Sequence, residues 1–153
     1  MSSDKKRNLQ QELGGEIRAL RTAVDSFDAA AAERLGINRT DLHCLDILIQ
    51  RESAAPSELG AALGLTTGSV TALLDRLDRL GYVTRSSDPG DRRKSVVRPA
   101  PRAVRAVEEI FGPLTHDGFR HVARYTTEQL ELLLDFMRSS RELQERHLDR
   151  IRS

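Results

Sequence analysis

A run of three cationic side chains, Arg92, Arg93 and Lys94, follows a turn-forming stretch in the middle of the chain. Guanidinium and ammonium groups donate charge-assisted hydrogen bonds to phosphate oxygens. From Asp75 to Arg105 the chain carries nine cations against four anions, a surplus of five, whereas its formal net charge as a whole is +1. This concentration of charge predicts a local attraction for a polyanion such as nucleic acid.

A second group of side chains that could bind nucleic acid precedes this basic stretch. Short hydroxyls at Thr67, Ser69 and Thr71 can donate to base edges or to phosphates, and the threonine methyl groups can contact thymine. On a helical wheel they lie beside Gly68 and Ala72, so this helix end has no bulky side chain and can approach base edges closely. Ordinary capping and surface roles are the alternative, and the hydroxyls alone leave both interpretations open.

The element that positions these hydroxyls is predicted to be the second helix of a helix-turn-helix unit. Ser57 can cap a first helix over residues 58–63, and Gly64 ends it. Thr66 or Thr67 can cap the second helix, which leaves a turn of about three residues, as such units require. The second helix carries an apolar row at helical spacing, formed by Val70, Leu73, Leu74, Leu77 and Leu80.

Small residues in the first of these helices predict a close crossing of the pair. Gly60 and Ala61 would let the second helix approach, while the row that begins at Val70 faces the interior. The polar face of the second helix would then be left outside.

A basic β-hairpin is predicted directly after the helix-turn-helix unit. Residues 82–86 and 94–98 are strand-like, and the stretch 88–91 has proline and glycine at the two central positions of a turn. The three consecutive cations therefore belong to the hairpin tip. A solvated charged hairpin is the alternative, but the neighbouring helix-turn-helix unit favours nucleic-acid binding.

Taken together, these motifs resemble the winged helix-turn-helix of the MarR (multiple antibiotic resistance regulator) family. The matching positions are Leu59-Gly60, Leu63-Gly64-Leu65, Ser69-Val70-Thr71, Leu74-Asp75-Arg76-Leu77, Leu80-Gly81-Tyr82-Val83 and Asp91-Arg92-Arg93. The resemblance implies a mainly α fold with a small β-hairpin wing, flanked by long N- and C-terminal dimerisation helices. It also implies a homodimer that binds palindromic, double-stranded promoter DNA and usually represses transcription.

The resemblance further assigns candidate DNA-binding residues. The second helix of the unit would be the recognition helix in the major groove, Arg93 would enter the minor groove, and Asp91 would orient that arginine. The recognition-helix set is Thr66, Thr67, Gly68, Ser69, Thr71, Ala72 and Arg76, and the wing set is Asp91, Arg92, Arg93 and Lys94. Many relatives carry arginine where this chain has Ala72, and a Leu-Thr start where it has Pro99-Ala100-Pro101.

Long helices are predicted on both sides of the winged segment. Apolar residues step by three or four along a first helix that ends near Gly36, and Thr40 can cap a second helix. After the wing, one helix can break near Gly112-Pro113 and resume to about Tyr125. Either threonine of the pair 126–127 can then cap the last helix.

These elements predict one domain over residues 1–153. Residues 5–36 and 102–153 would form a helical dimerisation region, and residues 37–101 a DNA-binding lobe. The flanking helices carry more apolar surface than one small core needs, which favours a homodimer over one larger monomeric bundle.

Composition and the remaining motifs exclude several other classes of protein. The chain has 39% hydrophobic residues, one cysteine, no apolar run of membrane-spanning length and no apolar signal core, so we expect a cytoplasmic protein without a membrane partner. No nucleophile elbow or phosphate loop is present, and the four histidines lack zinc-site spacing, so no enzyme, metal or cofactor is expected. Cys44 is interpreted as a small buried side chain rather than a redox sensor.

The family also suggests regulation by a small molecule. Its effectors lie in a cleft between the DNA-binding lobe and the helical dimer region. Arg18, Arg21 and His43 are polar residues on the helices that would line this cleft, so they are the predicted effector-binding residues. The alternative function is a protein-interaction module on a winged-helix scaffold with only non-specific DNA affinity, against which the basic wing argues.

Overall fold

The structure is a computed structural model that describes residues 2–153, and Met1, the first residue of the predicted domain, lies outside the described residues. In chain order the elements are α1 (Ser2–Leu35), α2 (Arg39–Arg51), α3 (Pro56–Leu63), α4 (Thr67–Arg79), β1 (Val83–Ser87), β2 (Ser95–Pro99), α5 (Pro101–Val122) and α6 (Thr127–Arg152). This confirms a mainly helical chain with one small hairpin. Two compact units divide the chain, the first ending at Ile110 and the second comprising Phe111–Ser153.

Helix α2 begins at a reciprocal pair of hydrogen bonds. The Oδ1 atom of Asn38 accepts from the backbone N–H of Asp41 at 2.8 Å, and the Oδ2 atom of Asp41 accepts from the backbone N–H of Asn38 at 3.3 Å. This capping box satisfies two N–H groups that the first turn leaves without a helical partner. The prediction that Thr40 caps α2 is therefore wrong, because Thr40 lies inside the first turn.

Helix α3 begins two residues earlier than predicted, at Pro56. Proline suits this first position because it has no N–H to satisfy. The carboxylate of Glu58 accepts from the backbone N–H of Ala55 at 3.0 Å. Ser57 therefore lies within the helix, and the prediction that it caps α3 is wrong.

The two helices of the helix-turn-helix unit cross at a glycine. A Cβ atom added to Gly60 would lie 3.2 Å from the carbonyl oxygen of Leu65 and 3.2 Å from the Cγ2 atom of Val70. Gly64 ends α3 with a φ of 66°, a left-handed conformation that glycine adopts at little cost. The buried face of α4 consists of Val70, Leu73, Leu74 and Leu77. The predicted close crossing is confirmed, and the inward apolar row is confirmed except at its end, where Leu80 is only half-buried.

The hairpin strands are antiparallel and lie one residue further along the chain than predicted, with Val83 opposite Pro99 and Ser87 opposite Ser95. Ala54, just before α3, extends this sheet through hydrogen bonds of 3.0 and 2.8 Å with the backbone of Val97. Val97 is fully buried, so the base of the hairpin belongs to the core of the first unit.

Helix α5 continues through Pro113, where the sequence suggested a break, and it ends at Val122 rather than near Tyr125. Proline removes the hydrogen bond to the carbonyl of Glu109, four residues earlier. Both residues are exposed, so water can satisfy that carbonyl. Pro101 is the first residue of α5, where proline is well tolerated.

Several helices expose apolar side chains in the single chain. On α1 they form one stripe with steps of three or four residues, comprising Leu9, Leu13, Ile17, Leu20 and Val24. In the second unit, Thr126 caps α6 with a capping box that includes Gln129, and none of the residues of α6 is buried. No helix in residues 2–153 combines the length and apolar character needed to cross a membrane.

The crossing at Gly60 yields a prediction about stability. We expect Gly60→Ala to lower the free energy of unfolding by about 1–3 kcal/mol, because the new methyl group meets a backbone oxygen that cannot move alone. Gly68→Ala is the matched control, since a Cβ atom there meets nothing within 4 Å, and it should be neutral or stabilising by up to about 1 kcal/mol. Urea unfolding measures both. Equal effects of the two variants would contradict this account of the crossing.

Candidate nucleic-acid interface

Helix α4, the predicted recognition helix, presents its amino-terminal end to solvent. Its apolar face is buried against the rest of the first unit, whereas Thr67, Gly68, Ser69, Thr71 and Ala72 are all exposed. Since a Cβ atom on Gly68 would meet nothing within 4 Å, packing does not require a glycine there. This end of α4 therefore offers a surface of small groups that another molecule can approach closely.

The hydroxyls of this end also make local hydrogen bonds. Thr66 caps α4: its Oγ1 atom accepts from the backbone N–H of Ser69 at 3.3 Å and donates to the Ser69 Oγ atom at 3.0 Å. Thr71 donates to the carbonyl of Thr67 at 3.0 Å. Of the two capping candidates, Thr66 is thus the cap. The hydroxyls of Thr66 and Thr71 stabilise this helix end, whether or not they also contact another molecule.

A shallow groove of about 390 Å³ separates the exposed ends of α3 and α4. Its lining consists of Pro56, Ser57, Gly60, Ala61, Leu65, Thr67, Val70 and Thr71. Because Thr67 and Thr71 border it, the groove belongs to the same exposed surface as the predicted base-reading residues.

Arg76, predicted to bind DNA, makes an ion pair within the chain. Its Nη2 atom lies 2.9 Å from the Oδ1 atom of Asp41, and its Nε atom lies 3.4 Å from Oδ2. The Asp41 side chain is only 2% exposed, whereas that of Arg76 is 42% exposed. The hydrogen bonds that Arg76 donates to Asp41 raise the pKa of Arg76 above its ordinary value. Asp41 was missed by the sequence analysis, because nothing in the local pattern connects it with a residue on α4.

Arg85 on β1 also pairs with α4. Its Nη2 atom lies 2.9 Å from the Oδ1 atom of Asp75 and 3.0 Å from the Oδ2 atom of Asp78. Hydrogen bonds to Asp78 and Asp75 raise the pKa of Arg85. The spacing of the two aspartates, one helical turn apart, is the sequence signal that could have revealed a partner. Arg85, one of the nine cations counted in this stretch, is therefore bound to the carboxylates of Asp75 and Asp78 within the chain.

The hairpin tip is a tightly hydrogen-bonded loop. The backbone N–H of Asp88 donates to the carbonyl of Lys94 at 2.8 Å, and that of Asp91 donates to the carbonyl of Asp88 at 3.3 Å. The Oδ1 atom of Asp88 accepts from the N–H of Gly90 at 2.7 Å. Such side-chain contacts to the following backbone are typical of turns that begin with aspartate. These hydrogen bonds thus fix the backbone that carries the cations of the hairpin tip.

The tip cations are directed to solvent, since Arg92, Arg93 and Lys94 are all exposed. Asp91, predicted to orient Arg93, accepts a 3.0 Å hydrogen bond from the backbone N–H of Arg93. Its carboxylate thus positions the backbone of that arginine. The guanidinium group stays available for an external anion while its attachment point is held.

The junction between α4 and the hairpin is anchored to the end of α1. The hydroxyl of Tyr82 donates to the carbonyl of Leu35 at 2.8 Å, and the guanidinium carbon of Arg102 lies 5.3 Å from the centroid of the Tyr82 ring. A cation at this distance is attracted by the face of the ring. After Arg76 and Arg85, Arg102 is therefore a third basic residue of the stretch that has a partner inside the first unit.

The predicted effector residues do not form an enclosed site in the single chain. Arg18, Arg21 and His43 are all exposed. In the single chain these three side chains face solvent, and their place in an effector site stays a prediction.

Cys44 is fully buried, and burial, assisted by the charge of Asp41, raises the pKa of its thiol to about 12. The thiolate is the reactive form of cysteine, so this side chain is inert at neutral pH.

Within the described part of the chain, no three His, Cys, Asp or Glu side chains are placed to hold a metal ion.

Comparison with known proteins agrees with this geometry. The sequence model described as "MarR family" matches residues 37–95. An uncharacterized HTH-type transcriptional regulator, YcgE of Bacillus subtilis (strain 168), is 40% identical over 135 residues, which cover 88% of each chain. The apo form of wild-type MarR from E. coli superposes with a TM-score of 0.60 at 22% identity, covering 84% of this chain and 95% of that one.

A mutant MarR from E. coli in complex with operator DNA superposes with a TM-score of 0.57 at 22% identity. The superposition covers 84% of this chain and 93% of that one. At this level of identity both superpositions establish the fold, which is the winged helix-turn-helix predicted from the sequence.

Proposed function

The chain belongs to the MarR family of HTH-type transcriptional regulators, and we propose that it represses transcription in the cytoplasm as a homodimer bound to palindromic promoter DNA. One observation supports this most directly. The uncharged end of α4 is exposed in the same compact unit as a hairpin whose tip carries three exposed cations. Small groups suited to base edges and cations suited to phosphates are thus presented together.

In this proposal residues 37–101 form the DNA-binding lobe, and α4 enters the major groove. Thr67, Ser69 and Thr71 read base edges through their hydroxyl groups, and the two threonines also through their methyl groups. Gly68 and Ala72 permit the close approach. Because Ala72 has a short side chain, selectivity also depends on the shape of the DNA. A mutant MarR from E. coli with this fold has been solved in complex with operator DNA, which supports DNA binding by this chain.

The wing supplies the second contact. Arg93 enters the minor groove, where a narrow groove strengthens the negative potential, while Arg92 and Lys94 contact the flanking phosphates. The hydrogen bond from the Arg93 backbone to Asp91 holds the loop in place, so less entropy is lost when the arginine binds.

The homodimer is supported by the uncovered apolar stripe on α1. In a lone chain, residues such as Leu13, Ile17 and Leu20 are about half exposed, at 49%, 46% and 62%. Contiguous exposed apolar surface marks an interaction site, and a second copy of the chain is the partner that a palindromic site requires. We assign residues 5–36 and 102–153 to this dimerisation region.

Release by a small-molecule effector stays a prediction of the family resemblance. An effector would act by changing the separation of the two recognition helices, which must match successive major grooves about 34 Å apart. Because Arg18, Arg21 and His43 are exposed, any site they contribute to needs a second chain to enclose it.

The role of the wing predicts a loss of affinity in Arg93→Ala. A duplex selected by the wild-type protein from a random pool provides the probe, and we expect it to contain an inverted repeat. Arg93→Ala should weaken binding about tenfold or more. The slope of log K against log salt concentration should fall by about 1.8, because each of the two subunits loses one cation from the strongly negative minor groove. Fluorescence anisotropy measures both quantities.

The control for this variant is Arg7→Ala, which removes an exposed arginine from α1 and should leave binding unchanged. If wild type showed no sequence preference and Arg93→Ala bound as tightly as wild type, the alternative of a protein-interaction module would be favoured instead.

The homodimer predicts that a charge in the α1 stripe separates the subunits. Ile17→Glu should raise the dimer dissociation constant at least about tenfold, because dimer formation would bury a carboxylate without a partner. Ala19→Glu introduces the same group on the opposite side of α1 and should leave the dimer intact. Sedimentation velocity over a range of concentrations measures the dissociation constant. A wild-type monomer at all concentrations would contradict the proposal.

A further inference from the structure

The pair formed by Asp41 and Arg76 joins α2 to α4, and the two residues are 35 apart in sequence. Arg76 lies in the carboxyl-terminal half of α4, and Asp41 lies in the first turn of α2. Two nitrogens of one guanidinium face the two oxygens of one carboxylate, at 2.9 and 3.4 Å. Such two-point contacts restrict orientation as well as distance.

The Asp41 carboxylate is itself fixed. Its Oδ2 atom accepts from the backbone of Asn38, and the Asn38 side chain accepts from the backbone of Asp41. Helix α2 is anchored in turn by the fully buried side chains of Leu45 and Leu48. The carboxylate is thus a rigid point of the core to which one face of α4 is tied.

The burial of Asp41 also limits what Arg76 can do. A carboxylate that is 2% exposed cannot exchange its cation for water without a large desolvation cost. An Arg76 side chain that turned to a phosphate would leave that charge without a partner. Keeping the ion pair is therefore the favoured state of Arg76, on DNA as well as off it.

We propose that Asp41 and Arg76 are positioning residues that set the orientation of the recognition helix, so that Arg76 acts on DNA selectivity through Asp41 rather than by touching DNA. This proposal rests on the proposed function. A homodimer must place two copies of α4 in successive major grooves at once, so a small change in orientation weakens both half-sites. General attraction to phosphate depends on charge and is much less sensitive to the angle of α4.

The decisive variant is Asp41→Asn, because the two possible roles of Arg76 predict opposite signs. If Arg76 contacts phosphate, removing the buried negative charge releases it and strengthens binding to DNA. If the pair positions α4, Asp41→Asn weakens binding to the selected duplex. We expect about tenfold weaker binding to the selected duplex, and a change of less than about twofold on a scrambled duplex of equal length.

Arg76→Gln and the double variant Asp41→Asn/Arg76→Gln complete a mutant cycle. We expect each single variant and the double variant to lose selectivity to a similar extent, because the pair acts as a unit. The slope of log K against log salt concentration should stay at the wild-type value in all three. A slope lowered by about 1.8 in Arg76→Gln, which is about 0.9 for each of the two subunits, with equal loss on both duplexes, would overturn the proposal.

Two further measurements keep the test independent of folding. Circular dichroism and sedimentation identify variants that unfold or fail to dimerise. If Asp41→Asn or Arg76→Gln unfolds, the test uses the double variant, which leaves no buried charge without a partner.

Arg39→Gln is the matched control. It breaks an ion pair with Asp25 at 3.1 Å that joins α2 to α1 rather than to α4, and it should leave selectivity unchanged.

The outcomes separate the two levels of the proposal. A wild-type protein without preference for any duplex would overturn the proposed function, and this role of the pair with it. A wild-type preference that Asp41→Asn leaves intact, or strengthens, would overturn the role of the pair alone.

Discussion

The close crossing of α3 and α4 at Gly60 is the contact on which the rest of the DNA-binding lobe depends. With no side chain at Gly60, Val70 packs directly at the crossing, and the apolar row of α4 is buried behind it. Interiors are packed too densely for such a contact to shift without cost. Because this face of α4 is buried, the opposite face and the amino-terminal end are the parts that DNA can reach.

Charge in this unit falls into two groups. Arg76 and Arg85 are paired with carboxylates of the same unit and hold α4 to its neighbours, whereas Arg92, Arg93 and Lys94 at the hairpin tip are exposed. Because Asp41 lies outside residues 75–105, its pair with Arg76 reduces the surplus of five positive charges that this stretch can offer to DNA. In the proposed function, affinity for phosphate is concentrated at the wing, and α4 contributes selectivity through small groups and orientation.

The periodic features of the sequence predicted most of the fold. The apolar row from Val70 and the glycine at position 64 located α4 and the turn before it, and proline and glycine at 89–90 located the hairpin. The caps of α2 and α3 were wrong because several polar residues stand near each helix start, and only geometry selects Asn38 and Glu58. Long-range pairs such as Asp41 with Arg76 leave no local pattern in the sequence. The sequence could therefore suggest only DNA as a partner for Arg76.

The central claim is that α4 reads the major groove while the wing occupies the minor groove, and methylation protection on the selected duplex tests it most directly. Guanine N7 reports the major groove and adenine N3 the minor groove. The account predicts two blocks of protected guanine N7 with centres about 10–10.5 base pairs apart, and protected adenine N3 in the minor groove beside each block. Uniform protection without half-sites, or protection confined to one groove, would contradict it.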